Sequence, residues 1–253
     1  MIPLHDDNPT TIRPVVTVGL IGTCVLVFLW QASLGPREAQ QAVYAFGMIP
    51  AVLFDLAELP AQIAAIPAEL SLFTSMFMHG GWMHLIGNML YLWIFGNNIE
   101  DSMGHGRFIV FYALCGIAAA LAQAFQDPGS TVPMIGASGA IGGVLGGYLM
   151  LYPRAHVLVL VPIGFFITTF RVPAMIVLGL WFVLQFVYSA MTVGQTGGVA
   201  YWAHIGGFIA GVVLIVPFRH KSHPLFAGAR RRFGGHQGRS PWGSSRRRRG
   251  PWS

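Results

Sequence analysis

Apolar residues fall along this chain in six long runs, at 15–34, 81–99, 108–125, 135–152, 174–193 and 199–218. Each approaches the roughly 20 residues that a helix needs to cross the hydrocarbon core of a bilayer. A further apolar stretch, 157–170, has 14 residues and contains Pro162. It is too short to cross and reads as a bent interfacial connection. Between the first two runs, "MIPAVLFDLAELPAQIAAIPAEL" has apolar positions at mixed spacing and three prolines. This pattern predicts short interfacial helices lying on the outer leaflet. The fold class expected from the whole pattern is an all-α membrane protein, a bundle of six transmembrane helices.

Composition agrees with that class. Of the 253 residues, 54% are hydrophobic and 9% charged, with a mean hydropathy of +0.60, whereas a soluble domain carries roughly 25% charged residues. Cys24 and Cys115 both lie inside apolar runs and read as core or lipid-facing thiols, not a disulfide. No C-x-x-C or His-x-x-x-His spacing suggests a metal, and no cofactor is expected. "MIPLHDDNPTTIRP" lacks a basic leader region, so the first run is expected to stay as a span.

Charge placement orients the bundle. Basic residues should concentrate in the cytoplasmic loops next to span ends. With six spans, Arg13, Arg107, Arg154, Arg171, Arg219, Lys221 and the Arg-rich tail all fall on one side, and Arg37 alone of the 15 basic residues falls on the other. Three regions follow: a cytoplasmic N-terminus at 1–14, a six-span domain at 15–218, and a disordered Arg/Gly-rich cytoplasmic tail at 219–253. The expected location is the cell membrane, with both termini in the cytoplasm. The basic tail is read as a topology signal or a lipid-headgroup contact, and no nucleic-acid partner is expected. The sequence leaves the oligomeric state open.

Polar residues inside the spans are the informative ones. Ser138 lies near the start of the fourth run and His204 near the start of the sixth. His79, His84 and Asn88 cluster around the start of the second. In the six-span topology these runs enter from outside, so three separate helices deliver polar groups to one layer. His84 and Asn88, four residues apart, share a helix face. Taken singly, a membrane serine usually bonds back to its own helix, an asparagine often joins helices, and a histidine can anchor an interface. Their common depth favours a site. Small residues recur at four-residue spacing at Gly139, Gly143 and Gly147, and again at Gly207 and Gly211. Such faces let helix backbones approach closely, enough to bring His204 within reach of Ser138. A serine nucleophile with an imidazole base forms a dyad for acyl transfer. The spans offer no carboxylate at that depth to orient the base. Asn88, His84 and the Ser138 amide are candidate oxyanion donors.

These residues carry a resemblance. "HGGWMHLIGNMLYLWIFGNNIEDSMGHGR", "GASGAIGGVLGGYLMLYP" and "AHIGGFIAG" are similar, in order, to three signatures of the rhomboid family of intramembrane serine proteases. The resemblance covers about residues 71–218. It implies a six-span rhomboid-like bundle and an endopeptidase that cleaves transmembrane protein substrates near the outer membrane face, with the lipid bilayer as its medium. By motif, Ser138, behind Gly136 in GASG, matches the nucleophile and His204 the base. His84 and Asn88 match the pair that assists the oxyanion, and His79 the more outward histidine. Glu100 and Arg107 match a structural turn. The chain departs from the family pattern in two places. Gly142 stands where some members carry an aromatic packed on the imidazole, so His204 must be held otherwise. The loop at 35–70 also lacks the Trp-Arg pair of some members. Two other readings are an inactive relative that binds membrane clients, which would be expected to lack the serine or histidine, and a histidine-based transporter, which would be expected to bury acidic partners.

Overall fold

The computed structural model describes residues 2–164, 166–191 and 199–227; the Arg-rich tail beyond 227 and the loop at 194–198 lie outside the described residues. In chain order the elements are β1 (Ile2–Asp6), α1 (Val15–Ser33), α2 (Pro36–Phe46), α3 (Pro50–Leu53), a 3-10 turn (Ala68–Leu70), α4 (Ser71–Thr74), a second 3-10 turn (Ser75–Phe77), α5 (Trp82–Tyr91), a π-helical segment (Leu92–Gly96), α6 (Asn97–Met103), α7 (His105–Gln126), α8 (Ser138–Leu151), β2 (His156–Ile163), β3 (Phe166–Pro173), α9 (Ala174–Met191) and α10 (Tyr201–Phe218). The second apolar run is thus one helical rod, 82–103, widened at its middle by the π segment. There Gly96 leaves room for Thr17 of α1, whose Cγ2 would lie 3.2 Å from a side chain at that position.

The protein is a helical membrane protein. Among the described residues, α1, α7, α9 and α10 are long and apolar enough to cross a membrane. Their outward faces stay apolar while exposed, as at Leu26, Ile109, Ile176, Val183 and Val213. A helix that is apolar all round needs an apolar solvent or a buried position. α8 takes the buried position. Every residue from Gly139 to Tyr148 is buried, and the helix is packed against α7 and α10. Leu145 and Tyr148 of α8 belong to the main hydrophobic core together with Phe95, Phe111 and Phe208 from its neighbours.

One expectation needs correction at the end of the bundle opposite Ser138. The stretch 157–170 is not a bent connection. It forms the hairpin β2–β3, paired antiparallel from His156↔Pro173 to Ile163↔Phe166. Its Val, Ile and Thr content suits a pleated surface, and Val157 and Val159, on one face, are fully buried while Phe166 and Ile167 near the turn are exposed. β1 pairs with β2 only as far as Leu160, so Pro162 lies where β2 has a neighbour on one side only, a position strands tolerate. The N-terminal segment is likewise structured. β1 completes the three-stranded sheet, and Asp6 is buried where it accepts hydrogen bonds from Tyr148 Oη (2.6 Å) and Asn98 Nδ2 (3.0 Å).

Nearby, the fully buried Glu100 accepts from the backbone amides of Val16 (2.9 Å) and Thr17 (2.8 Å) and from Thr17 Oγ1 (2.6 Å). It satisfies the orphan donors at the start of α1, where negative charge is also favoured by the helix dipole. Arg107 donates to the Phe218 carbonyl at 3.3 Å and ties α7 to the end of α10. In the first long loop, α2 and α3 are short helices. The loop is joined to the strand-like approach to α8 by the pair Met48↔Met134.

Candidate active site

α8 begins at the serine itself. The approach to it is held by the Met48↔Met134 pairing and by a bond from the Gly136 amide to the Ser75 carbonyl (2.8 Å). Gly136 has φ +126°, a conformation that L-residues rarely adopt. A side chain there would also lie 2.7 Å from the His84 ring. The turn therefore requires glycine twice over, and it delivers Ser138 to the first position of a helix with its amide not yet used in the helical ladder.

His204 comes from the first turn of α10. Its Nε2 lies 2.8 Å from Ser138 Oγ. Close approach of the two helices makes this possible. A Cβ on Gly207 would overlap the Gly139 carbonyl, and one on Gly211 would overlap the Gly143 carbonyl. Gly139 and Gly143 also face Ala119 and Cys115 of α7, and Gly147 faces Phe111 and Ile215. Two glycines outside the four-residue series share the work. A side chain on Gly142 would come to 3.0 Å from the His204 carbonyl, and one on Gly146 would overlap the Phe208 carbonyl. Cys24 and Cys115 are buried free thiols.

A cavity of about 630 Å³ lies over this pair, and Ser138, His204, His84, Asn88, Gly136, Met83 and Trp181 are among its lining residues. Met83 is 81% exposed, so the cavity reaches the molecular surface. Asn88 is buried, and its Nδ2 has no hydrogen-bond partner among the described residues. An orphaned buried donor is costly, and Asn88 lines the same cavity as the serine. His84 Nδ1 accepts from the Gly80 amide at 3.3 Å. His79 does not line the cavity. Its amide donates to Gln31 Oε1 (3.0 Å), its carbonyl accepts from Gln31 Nε2 (3.3 Å), and its ring Nδ1 lies 3.2 Å from the Phe77 carbonyl. It docks the chain against α1 and packs behind His84, with ring centroids 5.2 Å apart.

Sequence reasoning passed over α9. Gln185 is buried there, with Oε1 2.8 Å from His204 Nδ1 and Nε2 donating to the Trp181 carbonyl at 2.8 Å. The Trp181 ring lies 5.6 Å from the imidazole, tilted by 34°. The available signal was the same one that singled out Asn88: an amide in the middle of an apolar run.

Ser138, His204, Asn88 and the cavity form a constellation suited to nucleophilic acyl transfer. Among the described residues no group of His, Cys, Asp and Glu could hold a metal ion. The family model described as the rhomboid domain matches residues 67–221. Similar proteins include Rhomboid protein 1, mitochondrial, of Saccharomyces cerevisiae, 31% identical over 189 residues and 68% of this chain. Rhomboid protease GluP of Bacillus subtilis is 35% identical over 146 residues and 58% of the chain. RHOMBOID-like protein 5 of Arabidopsis thaliana is 28% identical over 143 residues and 56% of the chain. The aligned segments span 51%, 26% and 42% of the lengths of these relatives.

Proposed function

This chain belongs to the rhomboid family, and we propose that it is an intramembrane serine endopeptidase that cleaves transmembrane protein segments near the outer membrane face. The observation that carries the proposal is the 2.8 Å contact between Ser138 Oγ and His204 Nε2 inside an apolar bundle. Ser138 is the nucleophile. As its oxygen attacks the substrate carbonyl, its proton passes to His204 Nε2, which then returns it to the leaving amine. Water, activated by the same imidazole, releases the acyl group from Ser138. The developing oxyanion meets Asn88 Nδ2 and the Ser138 amide at the positive end of α8, with His84 beside them.

The length of α8 supports this reading. Fourteen residues rise only about 21 Å, against a hydrocarbon core of about 30 Å. With its inner end at the cytoplasmic surface, its serine starts about 10 Å below the outer one. The cavity over Ser138 gives water a route to that depth. In this reading the rod 82–103 and α8 join the four longer helices as spans, both termini are cytoplasmic, and the protein sits in the cell membrane.

The Ser138→Ala and His204→Ala proteins should fold yet fail to cleave a transmembrane substrate in detergent or proteoliposomes. A fluorophosphonate probe should label the wild type and neither variant. Cleavage that survives Ser138→Ala would end the protease reading.

A further inference from the structure

Both ends of the Gln185 amide are occupied, and that fixes its direction. The Trp181 carbonyl can only accept, so the group facing it at 2.8 Å is the NH₂ of Gln185. The amide oxygen is then the atom facing His204 Nδ1 at 2.8 Å. An amide oxygen can only accept, so Nδ1 carries the proton. The neutral imidazole has one N–H, and Nε2 is left with its lone pair directed at Ser138 Oγ, 2.8 Å away. That is the tautomer a general base at Nε2 requires. From this chain of three contacts we propose that Gln185 is the positioning residue for the catalytic histidine. A neutral amide on α9 does here what a carboxylate does in a charged triad.

The proposal rests on the protease reading and adds a part that reading lacks. Gln185 is 6% exposed and is not among the residues that line the cavity, so it acts through His204 and not on the substrate. It exchanges no proton. The imidazolium that forms after Ser138 gives up its proton keeps Nδ1–H against the amide oxygen, whose partial negative charge steadies it. A neutral acceptor also suits the place, because an ionised carboxylate in an apolar bundle carries a large desolvation cost. The packing on the other side explains why the support comes from α9. At Gly142, one turn beyond the serine, an added side chain would lie 3.0 Å from the His204 carbonyl and 3.4 Å from the Phe208 amide. α8 thus leaves little room there for a group that would brace the ring. The Trp181 ring and the Gln185 amide, four residues apart on one face of α9, brace it instead.

The test uses the full chain and a transmembrane substrate, with Ser138→Ala as reference. Gln185→Met keeps the length of the side chain and removes the acceptor, and Gln185→Glu keeps an acceptor. Gln185→Met should lower kcat about 10- to 100-fold, part of the roughly 10²–10⁴-fold supplied by a general base, with KM and the thermal midpoint little changed. Gln185→Glu should recover most of the lost kcat. Wild-type kcat in Gln185→Met, alongside a dead Ser138→Ala, would overturn the role of Gln185 and leave the protease reading standing. Cleavage by Ser138→Ala would overturn the protease reading instead. Histidine-selective ¹⁵N NMR tests the role of Gln185 without relying on activity or on a folded variant. In the wild type at neutral pH, His204 should be the Nδ1–H tautomer, and finding Nε2–H would refute the proposal.

Discussion

Asn88 separates two roles that the same residue type plays in membrane helices. An asparagine that joins helices spends its donors on a neighbour, whereas Nδ2 of Asn88 is buried and unpartnered among the described residues, and the residue lines the cavity that Ser138 also lines. A donor held in reserve becomes useful when charge develops on the substrate oxygen. Asn88→Ala should therefore lower kcat by about 10²–10³-fold, less if His84 and the Ser138 amide share the load, without a loss of thermal stability. An unchanged kcat in a folded Asn88→Ala protein would return the residue to a packing role. His79 shows the opposite case. The sequence motif groups it with His84, but its contacts to Gln31 and Phe77 make it part of the wall behind the site. At this scale the sequence reveals which residues are out of place in lipid. It does not show which of them face the same space, because that depends on helix rotation. Gln185 carries the first signal, an amide in an apolar run, but its place behind His204 depends on that rotation.

Among elements, the glycine helix and the N-terminal strand are the parts with the clearest physical logic. The small-residue spacing anticipates close packing of α8 on α10, yet the four-residue series describes only part of it. Gly142 and Gly146 also face α10, while Gly139 and Gly143 serve α7 as well. A helix enclosed on several sides needs small residues on several faces. The strand β1 was unreadable from five residues of mixed character, since it exists only by pairing with β2. Its anchor, Asp6, predicts a measurable pH effect. Burial pushes the Asp6 carboxyl up from 3.8 to about 6, a rise that the bond from Tyr148 only partly offsets. The folded state then holds the proton more tightly than the unfolded one. The Asp6 contribution to stability is greatest below about pH 4 and falls as pH rises through about 6, by at most on the order of 3 kcal/mol, and is level above that. Thermal unfolding in detergent should show the gap between Asp6→Asn and wild type widening from pH 4 to pH 7. Parallel pH curves for the two proteins would exclude Asp6 as the source.

On the scale of the whole molecule, the proposed orientation rests on the distribution of basic residues, and the structure supplies better reporters to test it than the sequence could. Ser102 looks like a loop position in the sequence but is fully buried, with its hydroxyl bound to the Ile99 carbonyl. Gly106 has open space around its Cβ position, and Gln62 in the first long loop is exposed. The two native thiols are buried, so the background should be low. On intact cells an impermeant maleimide should label Gln62→Cys and spare Gly106→Cys. The reverse pattern would invert the proposed topology and move the cavity to the cytoplasmic face.

The primary structure alone determined the membrane class, the helical runs and the choice of Ser138 and His204 as the candidate reacting pair. Those features depend on hydropathy summed over about 20 residues and on motifs such as GASG and AHIGG, whose parts lie close together in the chain. Tertiary structure alone decided three other things. It turned 157–170 into a hairpin, since strand pairing is a contact between distant segments. It started α8 at Ser138, because the turn at Gly136 is set by Ser75 and His84 from elsewhere in the chain. It also placed Gln185 behind His204, 19 residues away, through the rotation of α9 against α10, which an apolar run leaves undetermined.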